Sequence, residues 1–179
     1  MRRGLHSPLL VLCPWLLALF AALLIDSFFD HVTYAKDTDA PKREWIACKS
    51  ITDSRQEGDN QMITATVTEK FSGMLNGTCE AAERETVRKD GSQSFSGSGT
   101  FSGQVNGRSG TAIFTYSGAL DANGKMTANW VLDKGTDDLA RIDGQGTLEG
   151  KQARPAPNEC ADSESQSAWS GTYSGTVRF

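Results

Sequence analysis

Histidine is nearly absent from this 179-residue sequence, which has two, His6 and His31. Both stand in the first 35 residues, which differ in kind from the rest. The remainder cannot use Ser-His-Asp or Cys-His nucleophile activation, nor hold zinc through imidazole. Acid–base chemistry there would fall to carboxylates, Lys, Tyr or Cys. Excess positive charge is lacking too. The chain has 18 Lys and Arg against 22 Asp and Glu, for a net charge of −4, with no basic run interleaved with aromatics. Phosphate binding needs clustered cations, so no nucleic-acid partner is expected. No metal site, cofactor motif or catalytic residue set is legible.

Cysteine is scarce: Cys13, Cys48, Cys79 and Cys160. The chain opens with Arg2 and Arg3, then the apolar run "PLLVLCPWLLALFAALLI", then a polar stretch ending "HVTYA". This reads as a secretory signal over residues 1–35, cleaved after Ala35. The run is almost long enough to span a bilayer, so an uncleaved anchor is the alternative and the only expected membrane contact. A bulky Leu12 before Cys13 argues against a lipoprotein signal. An exported domain meets an oxidising environment, and three cysteines then allow three pairings. Cys48–Cys160 is favoured because both lie outside the repeated strand core and would pin two otherwise loose segments. Cys79 is then left as an inert, buried thiol.

Amphipathic helix periodicity is also missing after residue 43. Residues 36–43 read as a polar linker, and 44–179 as one domain, large enough to build its own core. Within it the signal is two-residue alternation, the mark of strands. Ile63, Ala65 and Val67 share a face, as do Met126, Ala128, Trp130 and Leu132, and Ala112, Phe114 and Tyr116. From Phe95 one face reads Phe95, Gly97, Gly99, Phe101, Gly103, Val105. Near the C-terminus Trp169, Gly171, Tyr173, Gly175, Val177 and Phe179 do the same, against a hydroxyl-rich opposite face. Glycine weakens a strand unless it makes room. Rings packed over cross-strand glycines fit a strongly curved sheet.

Asn76-Gly77, Asp90-Gly91, Asn106-Gly107 and Asn123-Gly124 read as hairpin turns. The near-repeat of "FSGMLNG" and "FSGQVNG" is then strand followed by turn, not a phosphate loop, which would need a helix after its glycines. Asn76-Gly77-Thr78 also matches a glycosylation acceptor, but reads here as hairpin chemistry. Residues 150–168, rich in Pro, Ser and acids, read as an irregular insertion before the last strand. The expected fold is all-β: an antiparallel, up-and-down barrel of about eight strands.

"EKFSGMLNGT", "GTFSGQVNGRSGTAIFTYSGAL", "ANWVLDKGTDDLARIDGQGTLEG" and "GTYSGTVRF" resemble a bacterial domain family of unknown function. The resemblance covers roughly half the chain. It implies an allene oxide cyclase-like, calycin-like barrel able to self-associate, and no particular activity. Asp137 and Arg141 stand where the resemblance leads one to expect glycine.

Two functional readings follow, with a third beside them. The first is a binding module whose interior, with Phe71, Phe101, Phe114, Tyr116, Trp130, Trp169 and Tyr173, holds a small apolar ligand. The same rings could equally fill a solid core. The second is an isomerase- or cyclase-like enzyme using one of Glu69, Glu80, Glu83 or Glu85. Carboxylates are seldom buried, so these are expected on the solvated face, and any that points inward near Tyr116 would mark a site. The third is a filled barrel acting as an envelope interaction protein.

Overall fold

The structure, a computed structural model, describes residues 42–160 and 167–179. The signal or anchor segment and most of the linker lie outside the described residues. Eight antiparallel strands close into one barrel in chain order: β1 (Glu44–Glu57), β2 (Asn60–Ser72), β3 (Leu75–Val87), β4 (Gln93–Val105), β5 (Arg108–Leu120), β6 (Lys125–Asp133), β7 (Asp143–Gln152) and β8 (Ser167–Arg178). Each strand pairs with the next. Closure comes from β8 returning to β1 through Lys49↔Ser167 to Glu44↔Thr172. Among the described residues, β1 past Lys49 pairs with β2 alone, while β2 pairs on with β3 from Gln61 to Phe71.

Three of the four expected turns form. Asp90-Gly91, Asn106-Gly107 and Asn123-Gly124 each join consecutive strands, and Asn106 and Gly107 have φ of 49° and 80°, as a tight hairpin requires. The fourth expectation is corrected. Asn76 and Gly77 lie within β3, opposite Gln104 and Gly103, and the chain turns earlier, at Gly73 and Met74. Gly73 has φ 100° and sits against the backbone of Lys42 and Arg43. The two copies of the repeat therefore do different work: only the second ends in an Asn-Gly turn. Strands also enter the expected irregular stretch from both sides, since β7 runs to Gln152 and β8 starts at Ser167.

One half of the barrel is a packed apolar plug. Leu75, Phe101, Val105, Phe114 and Leu132 have no exposure, and Phe71 meets Phe101, Phe114 and Tyr173 at 5.2–6.3 Å between ring centroids. A short 3-10 turn, Asp137–Leu139, closes this end by burying Leu139. It is held by Thr136, whose N–H donates to the Thr111 carbonyl at 2.8 Å. The Tyr173 hydroxyl accepts from Leu75 N–H at 2.7 Å and lies 3.0 Å from the Ser72 carbonyl, which ties β8 to the β2–β3 turn. Outside the barrel wall, Cys48 and Cys160 form a disulfide, Cα atoms 5.4 Å apart, in a small cluster with Ala168. Cys79 is free and buried.

Glycines let this sheet curve around its rings. Gly146 pairs with Gly175 across β7 and β8, and Trp130 lies over both, so a Cβ at either position would overlap its indole. The Trp130 N–H then donates to the Ser174 carbonyl at 3.1 Å.

Asp137 has φ 53°, the left-handed region that costs L-residues about 1–2 kcal/mol. It is one of the two positions where glycine was expected. Asp137→Val should cost about 1–2 kcal/mol, because a β-branched side chain fits that region worst. Asp137→Gly should stay within about 0.5 kcal/mol of the parent. Urea-denaturation midpoints check this; equal losses for the two variants would refute it.

Candidate functional site

The other half of the barrel is polar inside. Alternation along β2 that places Ala65 and Val67 inward also places Glu69 inward, 3% exposed. Along β3 the parity of Cys79 and Ala81 carries Glu83 and Glu85 inside, 4% and 6% exposed. The expectation that these carboxylates face solvent is corrected for three of the four; Glu80, of opposite parity, is exposed. From β1, Lys49 completes the group at 9% exposure. Its Nζ lies 2.6 Å from Glu83 Oε1 and 2.9 Å from Glu85 Oε2. Both contacts are ion pairs, and the second is also a hydrogen bond. The Tyr116 hydroxyl donates to Glu83 Oε2 at 2.9 Å.

Sequence reasoning did not find Lys49. In β1, Ala47, Cys48 and Lys49 are all buried, because the outer face is covered by the Cys160 segment. That erases the alternation that would have betrayed an inward lysine.

Lys49, Glu69, Glu83 and Tyr116 line a cavity of about 40 Å³. Trp45, Phe95, Leu120, Met126, Leu148 and Trp169 form its apolar wall, with Gln93 beside them. Of the aromatics singled out from sequence, Tyr116 and Trp169 line this cavity. Phe71, Phe101, Phe114, Trp130 and Tyr173 belong to the packed core. The wall owes its shape to glycine: Gly97 faces Tyr116 across β4 and β5, and a Cβ there would overlap the phenol ring.

Among the described residues, two buried polar atoms have no hydrogen-bond or ion-pair partner: Glu69 Oε2 and Trp169 Nε1. The contrast with the other indoles is clear, since Trp45 and Trp130 donate to the carbonyls of Thr172 and Ser174 at 3.2 and 3.1 Å.

Burial first, and then repulsion from Glu83, pushes the Glu69 carboxyl up to about 8; a hydrogen bond with the Cys79 thiol opposes this only in part. Burial, and then Glu69, raises the Cys79 thiol, so it is no nucleophile at neutral pH. Burial also raises Tyr116, followed by Glu69 and Glu83. For Lys49 burial would lower the ammonium's pKa, but Glu83 and Glu85 together outweigh it and raise the value. Burial thus favours the protonated carboxyl of Glu69, while Glu83 and Glu85 favour the ammonium of Lys49. Among the described residues no group of three or more His, Cys, Asp or Glu is arranged to hold a metal ion.

Fold and site together define a closed eight-stranded antiparallel barrel, apolar in one half and carrying a buried charge cluster beside a small cavity in the other. The profile of the family described as "Protein of unknown function (DUF3224)" matches residues 47–157, and the chain belongs to that family. A crystal structure of a protein of unknown function from the DUF3224 family of Shewanella oneidensis MR-1 is similar in fold. Its TM-score is 0.51 at 12% identity, covering 76% of this chain and 95% of that one. No curated protein matches the sequence.

Two predictions follow from this geometry. Glu69 titrates at about 8 in the folded protein and at about 4.3 when unfolded. Between these values the folded state keeps a proton the unfolded chain has lost, so stability falls as pH rises. The Lys49 contribution is present below its unfolded value and is lost only as pH climbs through its raised folded value. No histidine of the described domain titrates in between. Unfolding free energy should therefore drop by roughly 2 kcal/mol or more from pH 5.5 to 8.5, and Glu69→Gln should flatten that slope. Equal slopes in both proteins would reject the assignment. Separately, Gly97→Ala should cost about 1–3 kcal/mol by overpacking against Tyr116; a urea midpoint unchanged from the parent would show that the ring is not held there.

Proposed function

We propose that this protein is an exported binding module whose barrel takes the polar head of a small, largely apolar molecule. The observation that carries this reading is a cavity walled by apolar side chains and lined also by Glu69 and Trp169, each with a buried polar atom that has no partner among the described residues. Buried polar groups left unpaired cost about 1–3 kcal/mol each, and ligand pockets are apolar with a few placed polar groups. A cavity of about 40 Å³ suits a head group and its first carbons. The body would extend past Phe95 and Trp169, both only partly buried. Export is supported by the leader-like N-terminus and by the Cys48–Cys160 disulfide, a bond at home in oxidising compartments. Eight antiparallel strands paired in chain order and closing on themselves support kinship with allene oxide cyclase-like barrels.

Native mass spectrometry of the domain from Lys36, purified unreduced from the compartment where it accumulates, tests this. The expected result is a non-covalent excess mass that disappears on denaturation. A bare protein mass, together with no quenching of tryptophan fluorescence by a panel of small aromatic and aliphatic compounds, would overturn the reading.

A further inference from the structure

We propose that the cavity selects an uncharged carbonyl compound, whose oxygen accepts two hydrogen bonds, one from the Glu69 carboxyl and one from the Trp169 indole. This rests on the binding reading above and adds the chemical class of the ligand. The polar inventory of this end of the barrel leads there. Glu83 is engaged through both oxygens, by Lys49 and by Tyr116, and Glu85 holds Lys49 as well. What is left over is Oε2 of Glu69 and Nε1 of Trp169, on residues that line the same cavity.

An indole N–H can only donate. Glu69 is 3% exposed, and among the described residues it forms no ion pair, the single nearby ammonium being held by Glu83 and Glu85. A buried carboxylate with no cation of its own takes a proton instead of paying full desolvation, and the protonated carboxyl is a donor. The two residues that carry these donors thus line one space of about 40 Å³.

A carbonyl oxygen has two lone pairs and no proton, so it satisfies both donors and leaves nothing over. A hydroxyl can accept both bonds, but its own proton is then stranded against an apolar wall. A carboxylate would bring a third negative charge beside Glu83 and Glu85. An ammonium offers nothing for the indole to donate to. Lys49 with two glutamates nevertheless leaves one excess negative charge, so an amine is the serious competitor and belongs in the test.

The experiment uses five probes with one aromatic body: acetophenone, 1-phenylethanol, benzoate, benzylamine and ethylbenzene. Their dissociation constants are measured by calorimetry or tryptophan fluorescence on the parent domain, on Glu69→Gln and on Trp169→Phe, with circular dichroism confirming the fold of each. Acetophenone is expected to bind tightest at pH 6. Losing one neutral hydrogen bond should weaken it roughly 2- to 10-fold in Trp169→Phe. The parent should lose affinity between pH 6 and 9.5 as Glu69 gives up its proton. Glu69→Gln keeps a donor in its amide and should bind with little pH dependence.

Tightest binding by benzylamine would overturn the carbonyl assignment and leave a cation site in its place. Indiscriminate binding of all five, ethylbenzene included, would overturn recognition of the head while sparing the binding reading. Acetophenone affinity unmoved by Trp169→Phe and by pH would also overturn the assignment. No binding of any probe to the parent would overturn both this inference and the reading on which it rests.

Discussion

A ring laid over a missing side chain is the contact that lets this sheet close. Eight strands paired in chain order must bend sharply to bring β8 back to β1, and a barrel of this size has an interior only as wide as its side chains. A cross-strand pair with two Cβ atoms on its inner face leaves little depth for a tryptophan. Gly146 and Gly175 remove both atoms beneath Trp130, Gly97 removes one beneath Tyr116, and Gly118 does the same beneath Phe95. Large residues thereby fill space that small ones vacate, and the wall curves without voids. The apolar plug and the polar cavity both inherit their geometry from this exchange. Trp130 is fixed so that its N–H finds Ser174, and Tyr116 so that its hydroxyl finds Glu83.

The two halves of the interior then make opposite demands. In the plug, leucine, valine and phenylalanine leave water entirely, at about 25 cal/mol of stabilisation per Å² of apolar surface. In the other half, four ionisable side chains share a poorly hydrated space. Lys49 lies across β2 from the strand that carries Glu83 and Glu85, so the ion pairs bridge β1 to β3 through the barrel interior. The fourth group, Glu69, is left outside this arrangement, and its environment settles its charge. It faces Cys79, a weak partner, and a like-charged neighbour in Glu83, with no cation to spare.

The fold was largely legible in the sequence, because hairpin turns and two-residue alternation are local signals. Phe95 to Val105 and Trp169 to Phe179 announce their inner faces by residue type alone. The site was half legible. Extending the parity of Ala65 and Val67 by one step reaches Glu69, and extending that of Cys79 by two steps reaches Glu83. The general rule that carboxylates face water pulled the reading the other way, and here the local pattern was the better guide. Lys49 was hidden for a different reason. A strand covered on both faces, as β1 is at Cys48, shows no alternation to extend. The Asn76-Gly77 pair misled because Asn-Gly states a turn preference that pairing opposite Gln104 and Gly103 overrides. Asp137 shows the converse: a glycine-like backbone angle is kept where the side chain is not glycine.

Stability alone gives no account of the polar half. Replacing a buried ion cluster by well-packed apolar residues is often neutral or stabilising, and the plug shows that this barrel can be filled with leucine and phenylalanine. The cluster's side chains do not close the barrel either, since β1–β8 closure is made by strand pairing that starts at Lys49↔Ser167, and the Tyr173 contacts lie elsewhere. What the cluster does supply is a fixed electrostatic floor. With Lys49, Glu83, Glu85 and Tyr116 bound to one another, few of their donors and acceptors remain for anything else. The polar atoms left over are those of Glu69 and Trp169, one pushed toward its neutral form by burial and then by Glu83 and the other deprived of the carbonyl that every other described indole has. An arrangement that saturates most of its polar groups and leaves these two unpaired, on residues that line one cavity, is costly as architecture, and the proposed recognition role accounts for that cost.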